Sequence, residues 1–221
     1  MENYRIFDSE LEKLAHKVIQ MCLQVNEQLI DVVTALKTSD LPLAKKVINN
    51  DEFINNLDVK IDKLCQKIFA LQQPVASDLR YIISALKINN DLERIGDHAV
   101  NIAKRIEPLQ DYRQLIEEFG IDIIGEKTTD LFSDVVELVK THDLAFAAKV
   151  MNKANEIKEE SEKIASRILG EMMHQSEVVV VAANILIIIN LFERVTSYST
   201  NIAESITFVV EGEIVKHRKH N

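Results

Sequence analysis

Lys37-Thr38-Ser39-Asp40-Leu41-Pro42-Leu43-Ala44-Lys45-Lys46-Val47 returns 103 positions later as Lys140-Thr141-His142-Asp143-Leu144-Ala145-Phe146-Ala147-Ala148-Lys149-Val150, with seven identities. Self-similarity at a fixed offset marks a structural unit used twice. The segment also says what the unit is made of. Asp40 or Ser39 can accept from the free N–H groups of a helix start, and Pro42 suits a first turn, so the stretch closes one helix and opens the next. Upstream, Leu11, Leu14, Val18, Met21, Val25 and Val32 recur at steps of three, four or seven, the apolar stripe of a helix over 7–37.

Downstream, Pro74 marks the next corner, after which Leu79, Ile82, Ile83, Leu86, Ile95, Ile102 and Ile106 carry a helical pattern to Pro108. This third helix recurs too. Asn90, Glu93, Arg94, Asn101, Ile102, Ala103 and Ile106 return at Asn190, Glu193, Arg194, Asn201, Ile202, Ala203 and Ile206, now at an offset of 100. The three lost residues are placed at a turn over 174–177, because a deletion inside a helix would rotate its faces. The expected fold is all-α: two tandem three-helix bundles, six long antiparallel helices with a pseudo-twofold internal repeat. The first bundle is placed at 1–108 and the second at 129–221. The connector, 109–128, holds Gly120 and Gly125 and is read as a loop with a short helical piece.

With 221 residues and 47% hydrophobic content the chain can bury a sizeable core, and five Gly and three Pro leave few interruptions to long elements. Cys22 and Cys65 lie in apolar-periodic stretches without CxxC spacing and read as buried reduced thiols. No basic and apolar leader opens the sequence, so a cytoplasmic location is expected. The most apolar run, 178–189, falls short of the roughly 20 residues of a membrane span. It is expected in the core or on a self-association surface, with a homodimer as the assembly. A net charge of −9 excludes the basic surface that nucleic acid requires.

Chemistry concentrates on two rows of oxygen-bearing side chains. Asp51, Asn55, Asp58 and Asp62 are spaced four, three and four apart, on one face of the second helix. Glu93, Asp97 and Asn101 form a second row on the third helix, with Gly96 and His98 beside it. A turn near Pro74 sets residues whose numbers sum to about 148 at one level, Asn55 opposite Glu93 and Asp51 opposite Asp97. Facing carboxylates destabilise one another unless a cation, a basic side chain or a proton intervenes. Oxygen-only donors suit hard cations such as Mg²⁺, Ca²⁺, Mn²⁺ or iron. Gly96 fits a close approach, since a glycine inside a helix costs about 1 kcal/mol against alanine.

The plainer reading is a solvated face on which Arg94, Lys60 and Lys63 pair with the acids. The second copy weighs against it. There Asp51, Asn55, Asp58 and Asp62 become Ala154, Lys158, Ser161 and Ala165, while Asp97 becomes Ser197. Loss of one row together with its opposite number, Asp97, reads as the loss of one site.

Pro74-Val75-Ala76-Ser77-Asp78-Leu79-Arg80 and Asp91-Leu92-Glu93-Arg94-Ile95-Gly96-Asp97-His98-Ala99-Val100-Asn101-Ile102-Ala103 resemble the signature of the PhoU family, regulators of phosphate transport and signalling. The resemblance covers nearly the whole chain. It implies two three-helix bundles that carry metal clusters through Glu/Asp-x-x-x-Asp motifs, a motif matched here by Glu93 and Asp97. Together with the rows, this makes Glu93, Asp97, Asp51, Asn55, Asp58 and Asn101 the expected metal set, for iron or another di- or trivalent cation (Zn, Mg, Ca, Mn). The resemblance also implies an adaptor, not an enzyme. Such a protein represses phosphate uptake and the phosphate-starvation response by contacting the ATPase subunit of the Pst transporter, and hence a membrane complex peripherally, and a PhoR-type histidine kinase. Asp78, Arg80, Arg94 and His98 lie in the same segments and are assigned to partner binding, with a helix-start salt bridge as the alternative for Asp78 and Arg80. Glu193-Arg194-Val195-Thr196-Ser197-Tyr198 keeps the Glu but lacks the Gly, Asp and His, which leaves Glu193 and Asn201 as a weak second site.

Two rivals remain at the level of sequence. A ferritin-like di-metal oxidase needs two Glu-x-x-His motifs among its ligands, and one such spacing exists, Glu171-Met172-Met173-His174. A metal-free helical scaffold would be indifferent to chelation. His217 and His220 lie in or beside a basic tail over 216–219 and read as part of a mobile terminus.

Overall fold

The computed structural model describes residues 2–72, 74–174 and 179–212. Seven α-helices are present among them: α1 Glu2–Thr38, α2 Leu41–Gln72, α3 Ala76–Ala103, α4 Arg113–Phe119, α5 Ile121–Thr141, α6 Leu144–His174 and α7 Val179–Glu211. A 3₁₀ turn over Glu107–Tyr112 precedes α4. The six long helices form two tandem three-helix bundles, α1–α3 and α5–α7, as the repeat requires.

The two copies of the repeated corner share backbone geometry as well as sequence. Ser39 and His142, equivalent at offset 103, both end their helices in the left-handed region, at φ 56° and 55°. Asp40 then accepts from the Leu43 N–H at 2.9 Å and Asp143 from the Ala145 N–H at 2.9 Å, capping α2 and α6. The corner expected over 174–177 falls between the end of α6 and the start of α7; residues 175–177 lie outside the described residues.

The connector differs from its expected form. Nearly all of 107–141 is helical, and α5 is under way by Ile121, eight residues before the expected start at 129. Gly120 closes α4 at φ 73°, whereas Gly125 marks no loop. It sits inside α5, where an added Cβ would lie 3.0 Å from Val33 and 3.1 Å from Phe192, so it lets α5 press against α1 and α7.

Packing joins the bundles into one core. The most extensive helix contact is α3 on α7, and α1 also packs on α5, so α1, α3, α5 and α7 form a shared wall with α2 and α6 outside it. Leu29, Val32, Leu36, Ile95, Ile102, Phe132 and Phe192 are wholly buried in the continuous cluster. Cys22 and Cys65 lie there as free thiols, each pushed up to about 12 by burial. The whole of α7 is long and apolar enough to cross a membrane by length and composition. Its Val181, Ala182, Ile185, Ile188 and Ile189 are nonetheless buried against other helices, as a core helix requires, while Val180 and Ile187 face outward.

Candidate functional site

The site begins with one buried amide. Asn89, 1% exposed on α3, donates through Nδ2 to Asp58 Oδ1 at 2.7 Å, to Asp62 Oδ1 at 3.1 Å and to the Asp58 carbonyl at 3.2 Å. It pins α2 to α3 and draws two carboxylates of the first row onto one donor. Its own Oδ1 is buried without a partner. Asn89 was missed in the sequence reading, although the signal was there: it occupies an apolar-face position between Ile82, Ala85 and Leu92, where an amide is out of place unless it has polar partners.

Two turns along, α2 and α3 meet at the level expected from the turn. Asp51 feels the charge of Asp97 across the helix pair, and Glu93 feels Asp97, Asp58 and Asp51. Burial first, then these like charges, hold the Asp51 and Glu93 carboxyls above the usual carboxylate range, and burial followed by Asp62 does the same for Asp58. Asn55 donates to Asp51 Oδ2 at 3.0 Å, while Asp51 Oδ1 is buried with no hydrogen-bond partner. Gln28 of α1 reaches the same corner. Its Nε2 donates to the Val47 carbonyl at 3.2 Å and its Oε1 is unpartnered, 3.3 Å from where a Cβ on Gly96 would stand. The glycine therefore gives α3 the clearance to approach α1 and α2.

Basic compensation is thin. Arg94 lies 3.8 Å from Glu93, and it is more than half exposed. Lys60 and Lys63 form no ion pair with the rows. Among the described residues no three His, Cys, Asp or Glu side chains are gathered closely enough to hold a metal in the conformation present. The oxygens thus converge in electrostatic reach but not in a finished coordination shell. An orphaned Asp51 oxygen, mutual repulsion and oxygen-only donors all fit a hard cation, which the half-exposed Asp51, Asp58, Glu93 and Asp97 can reach by turning their side chains. Asn101 is half-buried one turn beyond Asp97, and its carbonyl accepts from Arg105 at 2.8 Å.

The residues assigned to partner binding divide. Asp78 stands in the first turn of α3 and forms no ion pair with Arg80. Arg80 lies against Gly212 at the end of α7, its Cζ 3.6 Å from where a Cβ there would stand. Arg94 is exposed. His98 turns inward, its ring 5.6 Å from that of Tyr198, with both ring nitrogens buried and unpartnered; burial lowers its pKa. His98 therefore belongs to the seam between the bundles.

At the equivalent place in the second bundle lies a groove of about 260 Å³ between α6 and α7, lined by Ala154, Asn155, Lys158, Glu193, Ser197 and Thr200. The retained Glu193 is half-buried in it and Asn201 is exposed one turn beyond Ser197. Glu171 and His174 fall in the last turn of α6, and the side chain of His174 lies outside the described residues.

Comparison with known proteins extends these features over the whole chain. The PhoU domain matches residues 18–106 and again 121–206. The phosphate-specific transport system accessory protein PhoU of Serratia marcescens is 31% identical over 211 residues, covering 96% of this chain and 87% of that protein. The protein of the same name from Escherichia coli (strain K12) is 31% identical over 213 residues, 96% of this chain and 88% of that one. Among solved structures, PhoU from Pseudomonas aeruginosa superposes with a TM-score of 0.87 at 30% identity, covering 94% of this chain and all of that one. The phosphate transport system regulatory protein PhoU from Streptococcus pneumoniae gives 0.86 at 31%, covering 95% and 99%.

Proposed function

This chain belongs to the PhoU family, and from that premise we propose that it is a cytoplasmic, metal-binding adaptor that restrains phosphate uptake and starvation signalling. A role in regulating phosphate transport follows from relatives named as accessory proteins of the phosphate-specific transport system. The proposal adds partners, the ATPase subunit of a Pst-type transporter and a PhoR-type histidine kinase, a homodimeric assembly, and a cation on the outer face of the first bundle. The observation that carries it is the opposition of Asp51 and Asp58 on α2 to Glu93 and Asp97 on α3, with one buried carboxylate oxygen unsatisfied.

Asp51, Asp58, Glu93 and Asp97 would hold the cation, with Asn55 and Asn101 at the rim. When bound it supplies positive charge that cancels the repulsion between the two helices. Asn89 keeps α2 and α3 in register whether or not a cation is present, and Gly96 keeps the floor of the site close to Gln28. Metal loading then sets the charge of the surface a partner meets. Nothing in this arrangement requires a reaction.

Elemental analysis of purified protein tests the reading. Wild type is expected to retain metal and the Glu93→Ala/Asp97→Ala variant to lose at least about nine-tenths of it, since losing a group that merely hydrogen-bonds a ligand already costs about ten- to a hundredfold in affinity. Equal metal content in the two proteins would sink the site.

A further inference from the structure

The groove between α6 and α7 occupies the place of the acidic site, yet its chemistry has been changed in a coordinated way. The first-bundle site has five carboxylates, Asp51, Asp58, Asp62, Glu93 and Asp97. In the second bundle only Glu193 survives of these, and Glu162 is the one acid that acts on it from α6. Asn55 has become Lys158, whose ammonium acts on the Glu193 carboxylate across the groove. Arg94 and Arg194 occur in both copies and cancel in the comparison. The charge to be compensated falls from five negatives to two, and one positive is supplied by the chain.

The remaining lining carries no charge. Thr196, Ser197 and Thr200 spend their hydroxyl protons on the carbonyls of Phe192, Glu193 and Ser197 within α7. Ala154 and Ser197, shorter than Asp51 and Asp97, open the groove into which a long Lys158 side chain can swing. A flexible four-carbon stem ending in a compact charge suits that task.

We propose that Lys158 is the built-in counter-cation of the second bundle. It takes the position that a metal would fill and leaves that groove a single residual negative charge, too little to demand one, so the molecule answers to metal on one face only. The contrast rests on the metal reading of the first bundle, but the role of Lys158 stands apart from it.

The test uses full-length protein carrying Asp51→Ala, Asp58→Ala, Glu93→Ala and Asp97→Ala, so that the first bundle cannot answer. This background is expected to bind no Mn²⁺ in equilibrium dialysis. Adding Ala154→Asp and Ser197→Asp with Lys158 in place should leave binding weak. Adding Lys158→Asn to those two should strengthen it at least about tenfold, because a like charge is removed from the cation's position. Equal Mn²⁺ affinity of the two grafts, or Mn²⁺ binding by the ungrafted background, would overturn the proposal. If the grafts melt early, single changes on the same background decide. Chelated Lys158→Ala should melt lower than Lys158→Arg, and Mn²⁺ should restore it; identical behaviour of the two is the contrary result. A wild-type chain without metal would refute the first-bundle reading and leave these comparisons intact.

Discussion

Asp51 shows what the site demands of a single residue. One of its oxygens holds the Asn55 amide, the other has no hydrogen-bond partner, and Asp97 faces it across the helix pair. An acid whose folded value is raised favours the folded state below its unfolded value and loses that contribution as pH rises through the folded one. Chelated protein should therefore lose stability as pH climbs through and above about 4, the range of free carboxylates, as Asp51, Asp58 and Glu93 ionise. Glu10 works in the opposite sense. Lys13 and Lys67 hold its carboxyl down, so its contribution is present above the usual range and lost as pH falls. Asp51→Asn isolates the site from that background. Calorimetry in chelator is expected to show this variant melting above wild type at neutral pH, with the gap closing towards acid. A wild-type advantage at neutral pH without metal would contradict the sign.

At the scale of the element, the corners were the most legible feature and the connector the least. Pro42, Asp40 and their repeat placed the α1–α2 and α5–α6 corners correctly because capping chemistry is local and acts within four residues. Gly125 misled because a glycine needed for close packing looks in sequence like one needed for a turn, and the difference lies in Val33 and Phe192, remote in the chain. Asn89 went unread for the same reason. Its partners are on another helix, whereas Asp51 and Glu93 could be found from spacing along their own. The corner itself yields a prediction. Ser39 adopts φ 56°, a conformation that disfavours a side chain, so Ser39→Gly should stabilise the protein by about 0.5–1 kcal/mol in urea titration, with the slope unchanged. Replacement by Val should destabilise it instead.

Over the whole molecule, two bundles were legible from the repeat, but their fusion into one core was not. The repeat describes each half by itself and is silent on which faces meet, while the joining surface of α1, α3, α5 and α7 is set by long-range packing. Gly125 tests that surface. Gly125→Val would drive methyl groups into Val33 and Phe192, at a cost of about 1–3 kcal/mol or more, and one cooperative transition should report it. A loss confined to a separate, lower-melting half would show that the bundles unfold independently.

The shared wall also bears on how the halves came to differ. A lone three-helix unit would leave the α1 and α3 faces greasy and bare, and the nearest complement to such a face is a twin of itself. Linking the twins in one polypeptide guarantees that every half with the acidic stripe is mated to one without it, in fixed proportion. Asymmetry that a dimer of identical subunits could never hold is thereby made permanent.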